Sequence, residues 1–347
     1  MNFLKIILYP FVPVYAALMA LRNWLFDSGI FKARNVGAKI ISVGNITVGG
    51  SGKTPLVIYL VNLLKSEGRK AGVLSRGYGR KSSGYVLVAD KEKILTTVDQ
   101  CGDEIFHTVT ECKVPAAVCE KRVNGAKRLI ADTGIDTVIL DDAFQHRWIA
   151  RDVDLLICEQ RFLNNPDFLN QNLLPSGNMR ENFRSVKRAD AVIINRKFSE
   201  KESLPGVLKK YSEQKKVFNA YYKAIGFVDI KRNVQYKIEE FRGQKSLVVS
   251  GIANPYSFIN ALKQTKVDTQ HQMIFSDHKN YTFKEIQKIR KEFYATNSHS
   301  VVTTQKDAVK LSKFSKEFDD IDIFYLKIQL EIDEKNEFRK FIIKNIS

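Results

Sequence analysis

Cysteine is scarce in this chain of 347 residues, and acidic residues are few beside basic ones. The four cysteines, Cys101, Cys112, Cys119 and Cys158, are irregularly spaced and form no C-x-x-C pair. That excludes a disulfide framework and a cysteine-based structural zinc site, and it fits a reduced, cytosolic setting. No Lys/Arg block interleaved with aromatics occurs, so no nucleic-acid module is expected; internal repeats and low-complexity tracts are also lacking. With 38 acidic against 55 basic residues the formal charge is +17. An anionic partner is expected, either a membrane surface or a phosphorylated substrate, although basic residues spread along the whole chain also describe a solvated surface. No protein partner is inferred.

A hydrophobic fraction of 44%, with 22 Phe and 13 Tyr, indicates a globular chain large enough for two domains, each with its own core. Its first 26 residues, MNFLKIILYPFVPVYAALMALRNWLF, hold an uncharged span from Ile6 to Leu21 between Lys5 and Arg22. This span is shorter than the ~20 apolar residues of a transmembrane helix, and Pro10 and Pro13 interrupt it. An export signal would carry the nucleotide-binding motif described next into a compartment without ATP. The favoured expectation is an interfacial anchor, apolar residues dipping into the bilayer with Lys5, Arg22, Lys32, Arg34 and Lys39 facing anionic headgroups. Burial against the chain's own body is the alternative.

A strand-like run, Ile40 to Val43, leads to Thr47-Val48-Gly49-Gly50-Ser51-Gly52-Lys53-Thr54 and then a helix-like run. A strand, a glycine-rich turn and Lys-Thr opening a helix form a phosphate cradle. Backbone N–H groups converge on the anion, Lys53 reaches the β/γ-phosphates, and the Thr54 hydroxyl is placed to hold Mg²⁺. The first glycine of G-x-x-x-x-G-K-[ST] is missing, with Thr47 in its place. An ordinary βα turn accounts for the glycines but not for Lys53-Thr54.

Strand-like runs at Lys39 to Val43, Ala71 to Leu74, Pro115 to Cys119, Thr137 to Leu140, Val153 to Cys158 and Ala191 to Asn195 alternate with helix-length segments, the first from Thr54 to Glu67. Such alternation predicts parallel strands with helices on both faces. The expected fold is α/β: a P-loop NTPase-like parallel sheet, a smaller second α/β lobe and an N-terminal membrane-interface helix. The expected boundaries are 1–35 for the membrane segment, 36–215 for the P-loop domain, 216–243 for a β-type linker and 244–347 for the C-terminal lobe. In that lobe Leu247 to Ser250 and Val301 to Thr303 read as strands, Pro255 to Leu262 and Glu334 to Ile346 as helices. Two lobes and a linker suggest a cleft that excludes water from phosphoryl transfer.

The run Thr137 to Leu140 delivers Asp141 and Asp142 to the sheet's C-terminal edge beside the phosphate loop, where such an Asp holds Mg²⁺ directly or through water. A helix cap or turn is the plainer use of an Asp pair. Local context also singles out Asp103 and Glu104 at a helix start, Arg122 after the strand ending at Cys119, Arg180 and Glu181 in the run after Pro175, and Asp277-His278. Capping acids, an exposed arginine, a turn and a surface histidine are the ordinary readings of these.

Taken together, VGNITVGGSGKTP, LSRGYGR (Leu74 to Arg80), GDE (Gly102 to Glu104), DDAFQH (Asp141 to His146), LLPSGNMRE (Leu173 to Glu181), RAD (Arg188 to Asp190), SDH (Ser276 to His278) and TQKD (Thr304 to Asp307) resemble the tetraacyldisaccharide 4'-kinases, the lipid A 4'-kinases, in order from about residue 36 to 310. Thr47 in place of the first glycine is similar to this family's loop. The resemblance implies ATP-dependent phosphorylation of the 4'-hydroxyl of a lipid A disaccharide 1-phosphate precursor, an anionic lipid, at the cytoplasmic face of the bacterial inner membrane. It implies that Lys53 and Thr54 bind phosphates and Mg²⁺, that Asp141 and Asp142 serve the metal and the loop, and that Gln145 lies close by. Asp103 would be the hydroxyl-activating base, oriented by His278 from the second lobe and assisted by Glu104. Arg122, Arg180 and Glu181 would line the catalytic cleft.

Two rival readings stay open at this stage. A nucleotide-switch ATPase with the deviant loop carries a lysine just before the two glycines, where this chain has Val48. Guanine-specific switches carry Asn-Lys-x-Asp, of which Thr304 to Asp307 keeps only the last residue in place. A non-enzymatic membrane-associated nucleotide-binding module explains the anchor and the charge, yet leaves Asp103, Asp141 and Asp142 without a task.

Overall fold

The computed structural model describes residues 2–167, 170–252, 255–276 and 279–347. These form two compact units, one of residues 1–221 with 331–347 and the other of residues 222–330. The closing helix, Lys335–Ile346, therefore belongs to the first unit, where the expected boundary put it with the C-terminal lobe. Phe338 on this helix lies 5.0 Å, ring to ring, from Phe218 and 5.9 Å from Tyr59, so burial of one aromatic fixes the assignment.

The first unit is a parallel sheet of β1 (Lys39–Gly44), β2 (Ala71–Ser75), β4 (Ala116–Val118), β5 (Thr137–Leu140), β6 (Val153–Glu159), β7 (Ala191–Asn195) and the start of β8 (Lys216–Asp229), edged by antiparallel β3 (Val86–Ala89). Its order is β8-β7-β6-β1-β5-β2-β4-β3. β1 sits between β5 and β6, with Ile40 opposite Val138 and Val43 opposite Leu155. Ile41, Val43, Ile139 and Leu155 are fully buried, which is why these strands read as unbroken apolar runs.

The helices of this unit are α1 (Asn2–Ile7), α2 (Val12–Asp27), α3 (Lys53–Ser66), α4 (Val98–Cys101), α5 (Asp103–Cys112) and α6 (Arg122–Thr133), with shorter turns and the closing helix after them. α3 buries Leu56, Leu60 and Leu64, an i, i+4, i+8 stripe. α6 lays Ala126 and Leu129 against Leu74, Ala117, Val138 and Leu140. A second core under the C-terminal ends of the strands joins Ile46, Phe144, Leu156, Met179, Phe183 and Val192.

The two prolines of the N-terminal segment do not prevent helix formation. Pro10 falls in a 3-10 turn, Tyr9–Phe11, and Pro13 in the first turn of α2, where a missing N–H costs nothing. Lys5–Asp27 is in consequence long and apolar enough to cross a membrane by length and composition, and few of its residues are fully buried. This exceeds the short, interrupted span expected from the sequence.

The second unit orders β11 (Asp268–Ile274), β10 (Lys245–Ser250), β12 (Ser300–Thr303), β13 (Ile323–Ile332) and the end of β8, with β9 (Gln235–Tyr236) antiparallel on β8. Its core joins Leu247, Val249, Val301 and Ile323 to Ile286, Ile289 and Phe293 of the helix Phe283–Ala295. The stretch expected as β-type linker is the hairpin of β8 and β9, closed by the stacked rings of Phe227 and Phe241 at 4.1 Å.

Candidate active site

The phosphate loop follows from two glycine conformations and one close approach. Gly49 and Gly52 have φ of 101° and 102°, the left-handed region that disfavours a side chain, and Gly52 caps α3. Gly44, at the end of β1, comes so near the next turn that a Cβ there would lie 2.5 Å from the backbone nitrogen of Phe144. The loop is pinned from inside by buried asparagines: Asn45 Nδ2 donates to Ser51 Oγ at 3.0 Å, and Asn195 Nδ2 to the Ser51 carbonyl at 3.0 Å. Its outer flank is braced by the 170–181 segment, with Val48 N–H on the Asn178 carbonyl and Arg180 N–H on the Ile46 carbonyl, both 2.7 Å.

β5 ends at Leu140, and Asp141 and Asp142 follow at the C-terminal edge beside this loop. Asp142 adopts φ 49°, a left-handed conformation that aspartate tolerates better than most residues. Its carboxylate receives Arg180 Nη1 at 2.9 and 3.0 Å and pairs with Lys53 Nζ at 3.6 Å. Burial alone raises its proton affinity, but Lys53, Arg180 and Arg122 outweigh that and hold its pKa below the ordinary value.

Asp141 is buried. Its Oδ2 accepts from Ser75 Oγ at 3.3 Å, while Oδ1 has no hydrogen-bond partner among the described residues. Burial first, then the charges of Glu104 and Asp142, push its pKa well up. A carboxylate kept under that stress beside a phosphate loop is what a bound cation relieves.

Four more of the expected residues, Arg122, Gln145, Asp103 and Glu104, lie in three places. Arg122, 3% exposed at the start of α6, donates to the carbonyls of Cys119 (3.2 Å) and Asp141 (3.3 Å), and so braces the Asp141 turn from within. Burial pulls its pKa down, with Asp141 and Asp142 opposing. Gln145 Nε2 donates to the Asn45 carbonyl at 2.8 Å, tying the turn to the loop's first residue. Asp103 and Glu104 open α5 behind Gly102, whose φ of 93° and approach to the Tyr78 carbonyl demand glycine; Asp103 Oδ1 accepts from Glu104 N–H at 3.0 Å.

Glu181 stands apart from its neighbour Arg180. It is 2% exposed and accepts from Arg188 (2.8 and 3.0 Å), Asn23 (2.9 Å) and Ser185 (2.8 Å). Burial raises its pKa, and the hydrogen bond and charge of Arg188 reverse the shift to a net lowering. Thr54 is buried at the start of α3, and Thr47 bridges to Met179. His278 and Asp277 lie outside the described residues. Sequence reasoning missed Asn45, Ser75, Arg188 and Asn195, which support the site; Asn45, directly after β1, is the one whose position marked it.

The family model for tetraacyldisaccharide-1-P 4'-kinase matches residues 4–347. The chain belongs to this family. A tetraacyldisaccharide 4'-kinase of Cytophaga hutchinsonii is 34% identical over 338 residues, 96% of this chain and 93% of its own. One of Flavobacterium psychrophilum is 32% identical over 356 residues, 100% of this chain and 98% of its own. The crystal structure of the "apo" form of LpxK from Aquifex aeolicus in complex with ATP superposes with a TM-score of 0.80 at 27% identity, covering 99% of this chain and 100% of that one. Family membership decides between the readings: the match runs through the phosphate loop and through Asp103, Asp141 and Asp142, which the membrane-associated module leaves without a task.

Proposed function

We propose that this chain transfers the γ-phosphoryl group of ATP to the 4'-hydroxyl of a tetraacyldisaccharide 1-phosphate at the cytoplasmic face of the membrane. The reading is carried by one observation: Lys53 of the phosphate loop pairs with the Asp141-Asp142 turn, in which one carboxylate is clamped by two cations and the other is buried with an unsatisfied oxygen. ATP as donor is supported by the Aquifex aeolicus LpxK structure, which is an ATP complex.

The donor set fits Mg²⁺, a hard ion that keeps several waters and takes one or two carboxylates with phosphate oxygens. No group of three or more His, Cys, Asp or Glu side chains able to cage a metal occurs among the described residues. Thr54 and Asp141 would hold the ion, with Asp142 alongside, and it would neutralise charge on the β- and γ-phosphates. Lys53 and the backbone N–H groups from Gly49 to Thr54 grip the phosphates, while Arg180 keeps Asp142 aimed at Lys53. Asp103, at the N-terminus of α5, accepts the proton of the attacking hydroxyl, with Glu104 nearby and His278 assigned the orienting role. Arg122 and Gln145 hold the turn that carries Asp141.

The exposed apolar face of the N-terminal helices, with Phe11, Val14, Leu18, Leu21 and Trp24 each more than half exposed, would lie in the bilayer and present the active site to a lipid acceptor. Asp103→Ala tests the chemistry. Its kcat should fall by about two to four orders of magnitude, the range for positioned acid/base groups. Intact turnover with only a raised KM for ATP would contradict the assignment.

A further inference from the structure

The two strips that hold the active site, residues 142–148 and 178–181, are held in turn by α2. Tyr15 Oη donates to the Arg180 carbonyl at 2.9 Å, Asn23 Nδ2 to Glu181 Oε2 at 2.9 Å, and Arg22 to the Gln145 carbonyl. Lys5 Nζ reaches Asn178 Oδ1 at 3.2 Å, and Arg147 answers with a hydrogen bond to the Asn23 carbonyl at 3.2 Å and an ion pair to Asp27 at 2.7 Å. Phe26, Phe31 and Trp148 close the contact with ring centroids 4.8–5.3 Å apart.

α2 is two-faced. Val12, Tyr15, Met19, Arg22, Asn23 and Phe26 recur at helical spacing and are buried or half-buried, while Val14, Leu18, Leu21 and Trp24 on the opposite side are open. A membrane anchor needs only the second face. The first also carries Tyr15, Arg22 and Asn23, which bond the Arg180 and Gln145 carbonyls and the Glu181 carboxylate.

We infer that α2 is a positioning element of the active site, in which Tyr15, Arg22 and Asn23 fix the segments carrying Arg180 and Gln145 and thereby the Asp142 clamp and the phosphate loop. The inference rests on the proposed role of Asp142 and Arg180 in phosphoryl transfer. It assigns the N-terminal helix a part in turnover that is separate from attachment to lipid. One hydrogen bond to a backbone carbonyl is worth about 0.5–1.5 kcal/mol, up to about tenfold in rate if fully expressed there.

The test uses the full chain with substrate dispersed in detergent micelles, where anchoring to a bilayer confers nothing. Tyr15→Phe, which removes one hydroxyl, and Asn23→Ala should each lower kcat about five- to tenfold. KM for ATP and binding to vesicles should stay within error, and the thermal midpoint should fall by no more than about a few degrees. Amide hydrogen exchange in 142–148 and 178–183 should speed up in both variants. A wild-type protein that fails to phosphorylate the lipid sinks the proposed function and the inference with it; with an active wild type, the variants bear on the inference alone. Both changes are required: a fall in kcat with unchanged protection, faster exchange with unchanged kcat, or an effect confined to KM for lipid and vesicle binding overturns the inference.

Discussion

Asp141 carries an energetic cost that its neighbours do not remove. Its pKa is raised by burial, then by Glu104 and Asp142, so the native state holds a proton more tightly than the unfolded chain does. That penalty grows as pH rises above the ordinary carboxylate range. Asp141→Asn should therefore be at least as stable as the wild type at pH 8, with the difference closing as pH falls, while kcat drops by about two orders of magnitude or more. Thermal midpoints at pH 8 and 5 alongside kcat check this; a variant less stable at pH 8 would mark Asp141 as structural. His146 has the opposite linkage. Burial, then the charges of Arg122, Arg151, Arg22 and Arg76, lower its pKa from 6.5 to about 4. The unfolded chain takes up that proton first, so the contribution is intact above pH 6.5 and lost as pH falls from there toward 4. Urea midpoints of His146→Gln should change less than those of the wild type between pH 7 and 5, and parallel curves would contradict it. Adjacent residues show where sequence runs out at this scale: nothing local says that Arg180 turns to Asp142 while Glu181 turns inward to Arg188. That division is made by the irregular 170–181 fold, in which Gly177 sits so tightly on Asn172 that a Cβ would lie 1.9 Å from its carbonyl oxygen.

Strands buried on both faces declare themselves. β1, β5, β6 and β7 are apolar runs bounded by turn residues, and each lies within about a residue of its expected span. β11 is an edge strand of alternating half-buried and exposed residues, mostly polar, and carries no such run. The helix Phe283–Ala295 carries its signals in the sequence: Thr282 and Glu285 form its capping box, and Ile286, Ile289 and Phe293 form its stripe. In α2 the apolar composition of both faces hid the docking face from periodicity, and only the polar contacts of Tyr15, Arg22 and Asn23 reveal it. Removing residues through Asp27 tests the exposed face. The truncated protein should leave membranes in low salt, and persistent binding would move the contact to the basic surface of the body.

At the scale of the whole molecule, a net charge of +17, an apolar helix with an open face and a phosphate loop converge on an anionic lipid acceptor. The charge suits a surface rich in phosphates, and on the proposed function the helix would bring the active site to it without requiring the lipid to leave the bilayer. Membership of the tetraacyldisaccharide-1-P 4'-kinase family spans nearly the whole chain, which leaves no large segment needing a separate function. The most direct test incubates the purified protein with γ-labelled ATP, Mg²⁺ and a tetraacyldisaccharide 1-phosphate, then locates the label. Label in the lipid as a 4'-phosphate monoester is the predicted result; ATP bound or hydrolysed with no label in the lipid would contradict it.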